Sequence, residues 1–125
     1  MIFDTDILIW IQRGHEKATK LIETDLDRSI SIQSYMELLQ GAKSKLHHQY
    51  IKDFLTEFEF TVLPLTENIG HRALIYVEAY ALSSNMRAGD AIIAATAVEN
   101  NIMLVSSNVK HFSVIRELQL KPFRP

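Results

Sequence analysis

The sequence contains no cysteine among its 125 residues. This absence excludes a disulfide framework and any metal site built from thiolates. Glycine and proline are also scarce, with four and three residues, and no glycine falls in the GxGxxG or GKS/T pattern that cradles phosphate groups. No apolar run is long enough to span a membrane, and no basic segment followed by an apolar one indicates a secretion signal. We therefore expect a cytoplasmic protein that does not associate with membranes.

The charged residues nearly balance. Thirteen Lys and Arg face 15 Asp and Glu, which gives a formal net charge of −2 at pH 7. This balance excludes a uniformly basic surface for nucleic acid, so a polyanion must bind through a local basic patch or a bridging cation. Hydrophobic residues make up 47% of the chain and charged residues 22%, as in ordinary globular proteins. The length predicts a single domain, residues 1–125, with a substantial core.

The stretch from Gly89 to Asn108 is the most informative part of the chain. Its first half, AIIAATAV, is small and apolar on all sides, which is typical of a buried helix. Asn100 and Asn101 are predicted to end this helix, because Asn tolerates a left-handed backbone. The run Ile102–Val105 then predicts a strand buried on both faces, as in a parallel sheet covered by helices. Turn-forming residues follow that strand.

The rest of the chain alternates between short apolar runs and helical patterns. The predicted strands are Ile2–Asp4, Ser29–Ile32, Phe60–Pro64, Ile102–Val105 and a weak one near Leu118–Leu120. The predicted helices run from the segment after Asp4 to about Gly14, His15–Thr24, Ser34 to about Ala42, Leu46–Glu57, Glu67 to about Ser83, Gly89 to about Glu99, and one turn to Phe112. This alternation predicts an α/β fold. We expect a three-layer sandwich with a mostly parallel, twisted sheet of four to five strands flanked by helices.

Four polar residues fall at the ends of predicted strands or at the starts of the helices beside them. They are Asp4, Glu37, Asp90 and Asn108. All four can reach one edge of the sheet, where parallel α/β proteins bind their ligands. Clustered carboxylates repel one another, and Mg²⁺ or Mn²⁺ relieves that repulsion with the oxygen ligands these ions prefer. Near a phosphodiester such an ion promotes hydrolysis, so the pattern predicts a metal-dependent catalytic site.

Each of these residues also has a purely structural interpretation. Asp4 can belong to a turn, and Glu37 can be the partner of Ser34 in a capping box. Asp90 and Asn108 can cap helices. These interpretations stay open for any residue taken alone, but the equivalent positions of all four favour a shared site.

Four segments resemble the PIN-domain ribonucleases of the VapC toxin type, and together they span essentially the whole chain: IFDTDILI, SYMELLQGA, GDAIIAATAVENN and LVSSNVKHF. The resemblance implies that Asp4, Glu37 and Asp90 bind the metal, Mg²⁺ or Mn²⁺. It places Asn108 at the fourth catalytic position, often Asp in the family. Ser106 takes the position of a hydroxyl that supports the site.

Two residues depart from the pattern of that family. Asp6 stands where the family usually has Asn, and we expect it either to add an oxygen ligand or to support the ligands. His111 stands where Asp is frequent before Phe, and this change is expected to weaken the support around the metal. Asn108 supplies less charge for a second ion than Asp would.

The resemblance further implies an endoribonuclease that acts as a toxin. Its expected partners are a cognate VapB-like antitoxin, a second copy of the chain in a homodimer, and structured RNA such as tRNA as substrate. Cations would bind the RNA phosphates. The residues that we predict for this role are Arg13, Lys43, Lys45, Arg87 and Lys110.

Two other functions remain open from the sequence. A haloacid-dehalogenase-like phosphatase also begins with an apolar strand followed by Asp-x-Asp, here Asp4 and Asp6, and uses the first Asp as a nucleophile. The chain is short for that fold and lacks late paired acids to hold its Mg²⁺. The second alternative is a PIN-like protein that binds RNA or a partner without cutting, which Asn108 and His111 keep open.

Overall fold

The structure is a computed structural model that describes residues 1–125. Its five strands are β1 (Ile2–Phe3), β2 (Ser29–Ser31), β3 (Thr61–Leu63), β4 (Leu104–Ser106) and β5 (Leu120–Pro122). They form one sheet in the order β3-β2-β1-β4-β5, and every neighbouring pair is parallel. The prediction of an α/β fold with a parallel sheet is confirmed. The weak strand predicted near Leu118–Leu120 is present beside β4, but it begins two residues later, at Leu120.

Seven helices connect or cover the strands. They are α1 (Thr5–Gln12), α2 (Glu16–Thr24), α3 (Ile32–Gly41), α4 (Lys45–Glu57), α5 (Glu67–Ser84), α6 (Ala88–Glu99) and α7 (Val109–Phe112). Their local signals act as expected: Gly14 has a φ of 78°, which ends α1, and the Thr66 hydroxyl accepts a 3.2 Å hydrogen bond from the Ile69 N–H at the start of α5. None of the helices combines the length and the apolar character that a membrane span requires.

Two hydrophobic clusters cover the two faces of the sheet. Successive strand residues point to opposite faces, so Ile2 and Leu104 join a cluster of 14 buried residues with α5 and α6. Phe3 and Val105 join a second cluster of 11 buried residues with α1 to α4. The molecule is therefore the three-layer sandwich that the sequence predicts, with helices on both faces.

The predicted start of β4 is wrong by two residues. Asn101 has a φ of 53°, as expected for a left-handed residue after α6, but the turn continues because the Ile102 N–H donates to the Ala97 carbonyl at 3.0 Å. Ile102 packs on the core from this turn, so part of the apolar run covers the end of α6. The strand begins at Leu104 and extends to Ser106, which is fully buried.

Helix α6 is the buried helix that its small residues predict. Ala91, Ala94, Ala95 and Ala97 are all 0% exposed. Residues without bulky side chains let neighbouring backbones approach closely, and α6 packs along the length of α5. This packing fixes the start of α6, and with it Asp90, beside the edge where β1, β2 and β4 end.

Candidate active site

The four predicted residues meet at the carboxyl edge of the sheet. Asp4 follows β1, Glu37 lies on α3 after β2, Asp90 lies in the first turn of α6, and Asn108 follows β4. Short contacts, described below, link them in one cluster. The topology therefore brings together every residue of the predicted set.

Asp4 is the most buried member of the cluster, with 6% of its surface exposed. Its Oδ1 accepts a 2.8 Å hydrogen bond from the Thr5 N–H, and its Oδ2 accepts a 2.6 Å hydrogen bond from the Ser106 hydroxyl. Burial, followed by repulsion from Asp6, raises the pKa of Asp4 from 3.8 to about 7, with a smaller contribution from Asp90. Asp4 thus caps α1. Its raised pKa also shows that its surroundings disfavour the charged carboxylate, which is not the case for an exposed helix cap.

Glu37 is held by side chains from two helices. Its Oε1 accepts a 2.5 Å hydrogen bond from the Thr5 hydroxyl, and its Oε2 accepts a 3.1 Å hydrogen bond from the Gln33 amide. Gly89 makes room for this carboxylate, because a Cβ at Gly89 would lie 2.8 Å from Glu37 Oε2. The absence of a side chain at that position lets α6 approach α3.

The capping box expected at the start of α3 is wrong. The helix begins at Ile32, and its N-cap is Ser31, whose hydroxyl accepts a 3.0 Å hydrogen bond from the Ser34 N–H. Glu37 therefore lies beyond the first turn and cannot close the box, because that role belongs to the third helical residue. Its carboxylate is free to serve the cluster.

Asp90 lies beside His111, the residue that departs from the family pattern. Its Oδ2 lies 3.4 Å from His111 Nδ1, and the same ring nitrogen lies 2.9 Å from the Asn108 side-chain nitrogen. Burial raises the pKa of Asp90, while His111 acts in the opposite direction. Asp90 is not the N-cap of α6, since that position is Arg87, and Asn108 makes no side-chain cap for α7. His111 thus occupies a bridging position between two members of the cluster.

Asp6 and Ser106 hold the segment after β4 next to the cluster through hydrogen bonds. The Ser106 hydroxyl, which donates to Asp4, also accepts a 2.9 Å hydrogen bond from the Asn108 N–H. Asp6 Oδ2 accepts hydrogen bonds from the Ser107 N–H, at 3.1 Å, and from the Ser107 hydroxyl. Asp6 Oδ1 is buried without a hydrogen-bond partner. A buried, unpartnered carboxylate oxygen is a costly feature unless a cation or water satisfies it.

The donors at this edge suit a hard divalent ion. Carboxylate, amide and hydroxyl oxygens are the ligands of Mg²⁺ and Mn²⁺. The pKa of Asp4 is raised and Asp6 Oδ1 has no hydrogen-bond partner, so the negative charge of these carboxylates is not balanced by protein groups. However, no three His, Asp or Glu side chains stand in a ready-made metal-binding arrangement. Thr5, Gln33 and His111 engage the carboxylates instead, so the side chains would have to turn to close on an ion.

The family follows from comparison with known proteins. The model of the PIN domain family matches residues 1–118. This chain belongs to the PIN domain family. This membership excludes the alternative function of a haloacid-dehalogenase-like phosphatase, because those enzymes have a different fold.

Relatives of this PIN domain carry ribonuclease and toxin–antitoxin names. Ribonuclease VapC10 of Mycobacterium tuberculosis is 32% identical over 126 residues, covering 98% of this chain and 91% of that protein. A toxin–antitoxin complex from Klebsiella pneumoniae superposes with a TM-score of 0.80 at 28% identity, covering 99% of this chain and 98% of that one. VapBC2 from Rickettsia felis, bound to a DNA fragment from its promoter, has a TM-score of 0.76 at 22% identity, covering 99% and 100%.

The basic residues predicted to contact RNA come from several different elements of this PIN domain. Arg13 lines a cavity of about 530 Å³ that also contains Glu37 and Tyr50. Lys43 and Lys45 are exposed around the start of α4, Arg87 is exposed just before α6, and Lys110 is exposed on α7. Their role in RNA binding stays a prediction.

Sequence reasoning missed the residues that hold the carboxylates of this PIN domain. Thr5, Gln33, Gly89 and Ser107 contact the cluster. Gln33 stands one helical turn before Glu37, and this spacing was the available signal. The other contacts join residues far apart in the sequence, so no local pattern could reveal them.

Proposed function

We propose that this protein is the ribonuclease of a toxin–antitoxin pair and that it hydrolyses phosphodiester bonds in RNA with Mg²⁺ or Mn²⁺. The observation that carries the proposal is the convergence of Asp4, Glu37 and Asp90 at one edge of the sheet, partly withdrawn from water. The relatives named as ribonucleases and toxins support the same activity. Structured RNA such as tRNA is the proposed substrate.

The proposed mechanism divides the work among the residues of the cluster. Asp4, Glu37 and Asp90 would hold the ion, which supplies water activation at neutral pH and stabilises charge on phosphorus and the leaving oxygen. Ser106 donates a hydrogen bond to Asp4, while Thr5 and Gln33 donate hydrogen bonds to Glu37, and these contacts keep the carboxylates at the sheet edge until an ion binds. Asn108 faces the same edge without adding negative charge, and it is placed to orient a water or a phosphate oxygen.

The direct test is cleavage of folded RNA by the purified protein. Chelator should abolish cleavage, and Mg²⁺ or Mn²⁺ should restore it. Glu37→Gln keeps the shape of the side chain but removes a charged ligand, so we expect the rate to fall by about 100-fold or more. Glu57→Gln, at an exposed position on α4, makes the same change in shape and charge and should leave the rate unchanged.

Cleavage that persists in chelator, or that survives Glu37→Gln at full rate, contradicts this function. If RNA binds but is never cut under any metal condition, the protein is the non-catalytic binder instead. Cleavage is read from the RNA products, and binding is read from the fluorescence anisotropy of the same RNA carrying a label.

The proposed partner is a VapB-like antitoxin, and the protein is proposed to act as a homodimer. Several structural neighbours are complexes of a toxin with its antitoxin. An arginine from such a partner would neutralise the carboxylates by a charge-assisted pair. Expression of the toxin alone should arrest growth, and co-expression with the neighbouring antitoxin gene should relieve the arrest.

A further inference from the structure

A groove with concentrated positive charge lies between α2 and β5, outside the carboxylate cluster. Its cavity is about 360 Å³. Cations line it on both sides, and no acid does. These cations are Lys17, Lys20, Lys121 and Arg124. In a chain whose formal net charge is −2, this α2–β5 groove is a local surface suited to a polyanion.

One wall of the α2–β5 groove is built by the spacing of residues in α2. Its lining residues recur every three or four positions, which places them on one helix face. They are Lys17, Lys20, Leu21 and Thr24. The acids of the same helix, Glu16 and Glu23, do not line the groove. They stand four residues before and three residues after Lys20, so they flank the groove on one side.

The other wall is fixed by the C-terminal residues. Phe123 is only 5% exposed and packs into the core, which anchors the segment. Lys17 Nζ donates a hydrogen bond to the Arg124 carbonyl oxygen and lies 5.6 Å from the centre of the Phe123 ring. Lys121 and Arg124 are therefore presented from an ordered segment, which lowers the entropy lost when they contact a ligand.

The α2–β5 groove leads to the carboxylate cluster. Phe123 and Arg124 also line an adjoining depression of about 590 Å³, whose other residues include Asn108 and Lys110. Asn108 touches His111, which faces Asp90. A continuous path of cations thus runs from α2 to the edge where the carboxylates lie.

We propose that the α2–β5 groove binds the sugar–phosphate backbone of the RNA substrate on one side of the bond to be cut. This inference rests on the proposed ribonuclease function. The carboxylates repel a polyanion, so its affinity must come from cations next to them. The groove offers no exposed aromatic ring for stacking, because its one aromatic residue, Phe123, is buried. It therefore contributes affinity without base selection.

The experiment compares two double variants with the same change in charge. Lys20→Gln with Lys121→Gln removes two exposed cations from the groove. Lys52→Gln with Arg116→Gln is the control, because Lys52 lies by β3 at the opposite edge of the sheet and Arg116 precedes β5 at its amino end. Each pair is also placed in the Glu37→Gln background, so that binding is measured in chelator without cleavage.

Fluorescence anisotropy of a labelled RNA is followed across a range of salt concentrations. The groove variant should bind about tenfold more weakly at low salt, and its slope of log affinity against log salt should fall by about 1 to 2, since two phosphate contacts are lost. With the active chain, KM should rise while kcat stays level. Lys20→Arg with Lys121→Arg should bind as the wild type does, and the control pair should change neither slope nor KM.

The outcomes separate this inference from the proposed function. If the wild type binds RNA through the groove but never cuts it, the function fails and the groove assignment stands. If it cuts RNA and the groove variant behaves like the control, the groove assignment is overturned. Loss of affinity for the antitoxin, with RNA affinity unchanged, would assign the groove to the antitoxin and also overturn it. Absence of both cleavage and RNA binding refutes both.

Discussion

At the scale of single residues, Asp4 should control how the stability of the metal-free protein depends on pH. Its pKa is raised from 3.8 to about 7 in the folded chain, so the folded state holds a proton that the unfolded state has lost between about pH 4 and pH 7. The contribution of Asp4 to the free energy of unfolding is therefore fully present below about pH 4, and it decreases as the pH rises to about 7. From about pH 5 to 8 the loss is on the order of 3 kcal/mol.

Asp4→Asn removes this ionisation and keeps the shape of the side chain. The amide oxygen can still accept from the Thr5 N–H, and Asn is a good N-cap. We expect the variant to melt at a higher temperature than the wild type at about pH 8 in chelator, with a flatter dependence on pH. Asp53→Asn, an exposed change on α4, is the control. If the melting temperatures of Asp4→Asn and the wild type change with pH in the same way, the raised pKa of Asp4 is contradicted.

The sequence predicted which residues would form the cluster but not how they are held. Asp4, Glu37, Asp90 and Asn108 were identified from their places after strands or at the starts of helices, and those places depend only on the order of the elements. The bond between Ser106 and Asp4 joins residues 102 positions apart. The resemblance to the family predicted that Ser106 would support the site. The contact of Thr5 with Glu37 was not predicted. The contact between His111 and Asp90 is likewise visible only in the structure.

At the scale of elements, the approach of α6 to α3 depends on Gly89. Gly89→Ala would place a Cβ 2.8 Å from Glu37 Oε2 and 3.1 Å from the Gln33 amide nitrogen. The end of a flexible side chain can move at little cost, so stability should change by less than about 1 kcal/mol. The displaced Glu37 should slow cleavage by about 10- to 100-fold, because catalysis is sensitive to misplacement on the scale of 1 Å.

Gly70→Ala is the matched control on α5. A Cβ at Gly70 meets nothing within 4 Å, so cleavage should stay unchanged while the free energy of unfolding rises by roughly 0.5–1 kcal/mol. Calorimetry and the cleavage assay are run on both variants. Equal cleavage by Gly89→Ala and Gly70→Ala would show that Glu37 needs no such clearance.

Element types were predictable, and some boundaries were not. The small-residue pattern of α6 and the cap of α5 are local properties, so they could be read from the sequence. The start of β4 depends on how Ile102 packs against the core after the turn at Asn101. A run of apolar residues shows burial, but it does not distinguish a strand from a buried turn.

At the scale of the whole molecule, α5 offers the apolar surface for the proposed homodimer. Leu74 and Ile75 are each 60% exposed, and Leu82 is fully exposed. Ile75 and Leu82 lie two helical turns apart on the same face, with Leu74 next to Ile75, so we propose that these side chains form one apolar association surface. Ile75→Glu should convert a dimer to a monomer in sedimentation measurements at micromolar concentration. Leu26→Glu, at a loop residue that is 90% exposed, should leave the dimer intact. A wild type that sediments as a monomer would refute the dimer.

The sequence predicted the layers of the molecule but not the order of its strands. Alternating helices and strands require a parallel sheet, and right-handed crossovers limit its topologies. They leave open which strand lies at each edge, and the position of β5 beside β4 determines the α2–β5 groove. That groove combines residues 17–24 with residues 121–124, so its charge was invisible to a scan along the chain.

The two edges of the sheet also bear on aggregation. Both edge strands, β3 and β5, have only three residues. Pro122 on β5 lacks an N–H to donate, Lys121 beside it carries a charge, and Pro64 follows β3 directly. Short edges with proline and lysine resist pairing with strands of other molecules. The protein is thereby expected to stay free of fibrils at high concentration, and Lys121 serves this protection as well as the groove.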